Sequence, residues 1–140
     1  MSKSFRDLVA FQRALDTVVV VYDVTSRFPR DERYGLTSQL RRASISVCSQ
    51  IAEGQGRLSY GEWRQFLSQA RGSLFEIDAQ CIAANRLGFL ADSDMGDVIR
   101  CLRLTGSALA GLIRWVKAEE QKVKRPARSA TKQPSNSATR

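Results

Sequence analysis

Arginine supplies most of the chemistry this chain can do. Before Glu119 it carries 14 arginines and two lysines against 12 acidic residues, and the whole chain contains no histidine. The planar guanidinium makes bidentate contact with phosphate or carboxylate, which an ammonium cannot match. Two arginine sets share a helical side. Arg100, Arg103 and Arg114, with Ser107 between them, lie opposite the apolar stripe of the last segment. Arg64, Arg71 and Arg86 flank Phe75 and Ile82 in the segment before it. A basic face with an interleaved aromatic can clamp phosphates and stack a base. The same residues can equally line solvated helix backs, or pair with acids across a subunit interface.

Other chemistries are poorly supplied. Without imidazole there is no Ser-His-Asp or Cys-His nucleophile and no histidine-bearing zinc site. The Glu-x-x-His iron sites of some helical bundles are excluded too. Cys48, Cys81 and Cys101 are widely spaced, with no C-x-x-C pair, and suit reduced core thiols better than disulfides. Neither phosphate-cradling glycine motif occurs. Glu76 and Asp78 point about 200° apart on a helix, so they do not converge. The sequence is therefore read as non-enzymatic, with no cofactor and no metal.

Four amphipathic segments must position these residues. The first is expected from about Arg6 to Arg27, with Phe5, Leu8, Phe11, Leu15, Val18, Val19 and Tyr22 as its inward stripe. Phe28-Pro29 stops it. The second runs from about Leu36 to Gly54 with Leu36, Leu40, Ala43, Val47 and Ile51 inward. Ile45, Cys48 and Ala52 form a second apolar strip, roughly opposite. Such a back face, with Arg41 beside it, argues for self-association. Arg41, Ile45, Cys48 and Ala52 are thus the candidate oligomer contacts, Arg41 through an interface or a buried pair.

Ser59 and Glu62 have the spacing of a capping box, opening a third segment that keeps one stripe from Trp63 through Leu74 and Cys81 to about Arg86. Gly88 and the Asp92-Ser93-Asp94 cluster supply a stop and the next start. The fourth segment, about Asp94 to Lys117, turns Val98, Leu102, Thr105, Leu109, Leu112 and Val116 inward. Short joints favour antiparallel neighbours. The expected fold is all-α, an up-down-up-down four-helix bundle over residues 1–118, followed by a basic, largely disordered tail over 119–140.

The net charge of +8 and pI near 10.0 favour a polyanionic partner. It divides evenly, since 119–140 holds six basic and two acidic residues and the body a surplus of four. No apolar run reaches transmembrane length, and the first residues lack a signal peptide's apolar stretch. A cytoplasmic location without membrane contact is expected.

Several stretches resemble one family. They are Phe5-Arg-Asp-Leu-Val-Ala-Phe-Gln, Phe28-Pro-Arg-Asp-Glu-Arg-Tyr-Gly-Leu-Thr-Ser-Gln-Leu-Arg-Arg-Ala, Ile51-Ala-Glu-Gly54 and Phe66-Leu-Ser-Gln-Ala-Arg-Gly-Ser-Leu. Over about residues 5 to 118 they are similar to the four-helix-bundle 23S rRNA intervening-sequence proteins, and so also to the accessory variability proteins of diversity-generating retroelements. The resemblance implies a cyclic homopentamer, contact with nucleic acid, and a protein partner such as a reverse transcriptase. Cyclic closure would cover second faces without leaving a free edge. One departure stands out: the family's Ser-Ile-Pro-Ser-Asn is Ser46-Val-Cys-Ser-Gln50 here, and losing the proline should straighten the second helix.

Together these readings give a homo-oligomeric helical bundle that binds structured RNA or DNA through its arginine surfaces. The alternative is an assembly scaffold whose arginines make subunit contacts and whose partner is a protein.

Overall fold

A computed structural model of the protein describes residues 4–125. A 3-10 turn (Phe5–Asp7) leads into α1 (Val9–Thr25), and a second turn (Arg30–Glu32) precedes α2 (Leu36–Gln55). Two longer helices follow, α3 (Tyr60–Arg86) and α4 (Asp92–Lys124). Each helix packs on its neighbour in sequence, and α1 closes the square against α4. This is the arrangement of an up-down-up-down bundle. Helix α2 runs unbroken through Ser46–Gln50, as expected without a proline.

The joints follow the local chemistry. Ser59 caps α3, its hydroxyl accepting from the Glu62 amide at 3.1 Å. At the other end Gly88 adopts φ 85°. The Phe89 amide then reaches the Ala84 carbonyl at 2.9 Å and the Gly88 amide reaches that of Asn85 at 3.0 Å. That pair of bonds is the Schellman closure, which a side chain at Gly88 would strain. Phe89 packs against Phe28 across this end of the bundle. Helix α4 starts without the side-chain cap expected of its Asp-Ser-Asp cluster. The Asp92 carboxylate instead accepts from Asn85 at 2.8 Å, tying the new helix to the old one.

The inward stripes of α2, α3 and α4 lie where their periodicity puts them. Leu40, Val47 and Ile51 meet Leu67, Ile77 and Cys81, with Val98, Leu109 and Val116 closing the core. The stripe expected on α1 is only partly right: Leu8, Phe11 and Val18 pack against the edge of the core. The buried positions are Ala10, Ala14, Thr17, Val21, Val24 and Thr25. From Phe11 on, most of the expected residues sit one place later, a rotation of about 100°. Leu15, Val19 and Tyr22 consequently face outward, Val19 at 68% exposure. The reason is a polar contact inside the bundle. Thr17 and Thr105, both buried, share a 2.9 Å hydrogen bond, and Thr105 donates onward to the Arg13 carbonyl at 3.0 Å. Counting large apolar residues misses a face that is chosen by small ones.

Helix α4 continues to Lys124 rather than ending near Lys117. The first six residues of the expected tail, Glu119 to Lys124, are thus helical, held by contacts described below. Residues 126–140, the rest of that tail, lie outside the described residues.

Two substitutions test this packing. A Cβ at Gly54 would lie 2.8 Å from Trp63 Cδ1 and 3.1 Å from Phe66 Cβ. Gly54→Ala should therefore destabilise the fold by about 1–3 kcal/mol, as overpacking does, read as a lower denaturation midpoint at unchanged slope. Thr105→Val, which strips Thr17 of its acceptor, should cost about 1–3 kcal/mol. Thr17→Val leaves Thr105 still bonded to Arg13 and should cost less, and the double variant less than the sum of the two singles.

Candidate functional site

The six arginines expected to bind nucleic acid do not form one surface. Arg64 is engaged inside the chain: its Nε donates to Glu120 Oε1 at 2.9 Å, and Lys124 closes on the other carboxylate oxygen at 3.3 Å. The Glu120 side chain is only 11% exposed. Gly61 leaves room for it, since a Cβ there would lie 3.2 Å from Glu120 Oε2. The Arg64 hydrogen bond, more than Lys124, holds the Glu120 carboxyl below the usual glutamate range despite its burial. These contacts anchor the last turns of α4 to the start of α3.

Arg71, Arg103 and Arg114 do converge. They line a groove between α3 and α4 of about 580 Å³, with Asp78 as the single carboxylate on its wall. The groove follows α4 from Ile99 to Arg114, roughly 22 Å at helical rise. Its lining is mainly apolar, from Leu74, Phe75, Ile99, Leu102, Leu109 and Ile113. Phe75 is 62% exposed, and the Arg71 guanidinium lies 5.6 Å from its ring centroid. Arg100 stands outside the groove, 3.5 Å from Asp97 on an exposed stretch of α4, an ion pair worth at most about 1 kcal/mol. Arg86, at the end of α3, is exposed and has no carboxylate within ion-pair reach among the described residues.

The candidate oligomer residues also divide. Arg41 turns onto α1, donating from Nε to Thr25 Oγ1 at 2.9 Å and lying 4.6 Å over the Tyr22 ring. Cys48 is 8% exposed and belongs to the chain's own core. Of the second strip, only Ile45 and Ala52 reach the surface.

An aromatic group escaped the sequence reading. Tyr60 and Trp63 stack at 6.1 Å, and Trp115 meets Trp63 edge-on at 5.7 Å. The Tyr60/Trp63 spacing on α3 was visible, whereas Trp115 belongs to no stripe of α4. The rings fill the space between them, and half-exposed Trp115 presents an aromatic edge next to Arg114.

Nucleophilic chemistry finds little support in the thiols. Cys48, Cys81 and Cys101 are free, and burial raises the pKa of each, that of Cys81 to about 12. Each thiol is protonated at neutral pH and a weak nucleophile. Among the described residues no three Cys, Asp or Glu side chains are grouped to hold a metal ion. No helix there is long and apolar enough to cross a membrane.

The fold and these residues can now be set beside known proteins. The model of the family described as 23S rRNA-intervening sequence protein matches residues 6–111. The chain belongs to that family. No curated protein matches it. The family match takes in α1, α2, α3 and more than half of α4. Most of the α3–α4 groove therefore lies in the family region, while Arg114 and the Glu120 anchor fall beyond its end.

The Glu120 anchor has a pH signature. A depressed carboxyl pKa adds stability that is fully present above about pH 4.3 and is lost as pH falls through the folded-state value. Glu120→Gln should lower the melting temperature at pH 7, and the gap from the parent chain should close on acidification. An equal gap at pH 7 and pH 3 would mean that the side chain acts by packing alone.

Proposed function

We propose that the protein is a non-enzymatic, homo-oligomeric helical bundle that binds structured RNA or DNA through arginine-rich surfaces. The observation that carries this reading is the arginine left over once internal pairs are made. Arg13, Arg27, Arg64 and Arg100 meet carboxylates. Arg30, Arg33, Arg42, Arg57, Arg71, Arg86, Arg103 and Arg114 are exposed and meet none within ion-pair reach among the described residues. Carboxylates such as Asp31, Glu53 and Glu76 are also outside ion pairs among the described residues, and the net surplus of four positive charges in the body is what attracts a polyanion. Arg71 beside Phe75, and Arg33 beside the exposed Tyr34, add stacking surface for bases. Membership of a family described by a 23S rRNA-intervening sequence agrees with a nucleic-acid setting. A second reading, the assembly scaffold, draws on the apolar floor of the α3–α4 groove, which suits a protein surface better than a phosphate backbone.

Binding of the full chain to an RNA hairpin and to duplex DNA, followed by fluorescence anisotropy across a salt series, tests the proposal. Contact with about six phosphates lowers affinity roughly a thousandfold between about 50 and about 200 mM salt, and a slope of that order is expected. Absent binding, or binding that salt leaves unchanged, would leave the scaffold reading in its place. Sedimentation of the same sample should give a mass that is a multiple of 15.6 kDa.

A further inference from the structure

The structure leaves two complementary surfaces uncovered on the same chain. One is the outer face of α1, where Leu15, Val19 and Tyr22 recur at i, i+4 and i+7 and are all exposed. Asp16 and Asp23 stand beside them, with side chains 62% and 66% exposed. The other is the α3–α4 groove, apolar along its floor and edged by Arg71, Arg103 and Arg114. We propose that α1 of one copy lies in the α3–α4 groove of the next, with Asp16 and Asp23 facing Arg103 and Arg114. This rests on the homo-oligomeric reading above and names its contact.

Shape and charge support the pairing. A groove between two adjacent helices, roughly 22 Å long, is the seat for a third helix presenting anchors at i, i+4 and i+7. Asp16 and Asp23 are seven residues apart, about 10 Å, and Arg103 and Arg114 eleven apart, about 16 Å. The reach of the arginine side chains spans the difference. Asp16 is only loosely held within its own chain, 3.9 Å from Arg13. Asp23 shares Arg27 with Asp94. The carboxylates therefore retain acceptor capacity for a second guanidinium. The chain's own end is a poor occupant: residues 126–140 hold three basic residues, no acidic ones and no large apolar side chain.

The geometry also fixes the kind of assembly. Helix α1 and the groove are different surfaces, so each copy has one ridge and one socket. The contact is heterologous: every copy added leaves a ridge and a socket free until the ring closes. The contact closes where the rotation between copies allows it, a reciprocal pair being the smallest closed form. In the closed form Arg71, Arg103 and Arg114 are taken up at the joints. Phosphate contact then falls to unpaired arginines outside the groove, such as Arg33, Arg57 and Arg86.

The test is charge reversal in the full chain, with mass measured by sedimentation and helicity by circular dichroism. D16K/D23K and R103E/R114E should each keep their helix content and weaken self-association about a hundredfold or more, because like charges then face each other. Combining all four substitutions in one chain should restore the assembly. If the parent chain is a monomer at every concentration, the homo-oligomeric reading itself fails. If the parent assembles and neither reversal weakens it, the proposed contact is overturned while oligomerisation stands. Loss in both reversals without recovery in the fourfold variant also overturns it.

Discussion

The hydrogen bond between Thr17 and Thr105 ties α1 to α4 across the core, on the face where α1 presents its small residues. A buried hydroxyl without a partner costs about 1–3 kcal/mol. Thr105 sits at the centre of α4's inward face with a relative exposure of zero. It is satisfied by the Arg13 carbonyl and supplies an acceptor to Thr17. Holding Thr17 inward aligns Ala10, Ala14, Val21 and Val24 with it, because these positions share one helical face. The large apolar side chains one position later are then carried out of the core. Leu15, Val19 and Tyr22 lie on the outer side of the helix that carries this pair.

Small residues do comparable work at the α2–α3 contact. Gly54 lets the Trp63 indole and Phe66 approach the α2 backbone, and Ser46 meets Ser73 at 3.1 Å across the same interface. On its other side α3 packs against α4, and a groove runs along the outside of that joint. Phe75 and Ile99 stay exposed along it. At its lower end the Arg64–Glu120–Lys124 cluster clamps the two long helices together.

Helix positions and three of the four inward faces were readable because they depend on apolar periodicity, punctuated by Pro29, Gly88 and Ser59. The face of α1 was not, because it depends on a partner 88 residues away for a threonine that periodicity scores as neutral. The end of α4 was misplaced for a related reason. Glu119, Glu120, Lys122 and Lys124 look like a solvated run, yet Glu120 turns inward to Arg64, 56 residues earlier. Of the candidate site, Arg71, Arg103 and Arg114 were found from their helical sides alone. What separates them from Arg64 is whether a carboxylate from elsewhere in the chain reaches them. Trp115 was missed because a lone aromatic beside an arginine carries no spacing signal.

The preference for arginine over lysine in the folded part has a physical basis in what each cation loses on leaving water. A lysine ammonium is strongly hydrated and meets an oxygen as a point charge, so taking it out of water at a helix joint is costly. A guanidinium is more weakly hydrated, lies flat against apolar surface, and keeps a donor edge for carboxylate or phosphate. Arg71 over Phe75 and Arg57 over Phe66 already show that stacked geometry in the single chain. Beside an apolar groove such a residue can face a carboxylate of another helix with little loss of hydration, and on an open face the same fork meets phosphate. Arginines at the groove wall sit against apolar surface, whereas Arg86 stands clear of the groove with its guanidinium exposed to water.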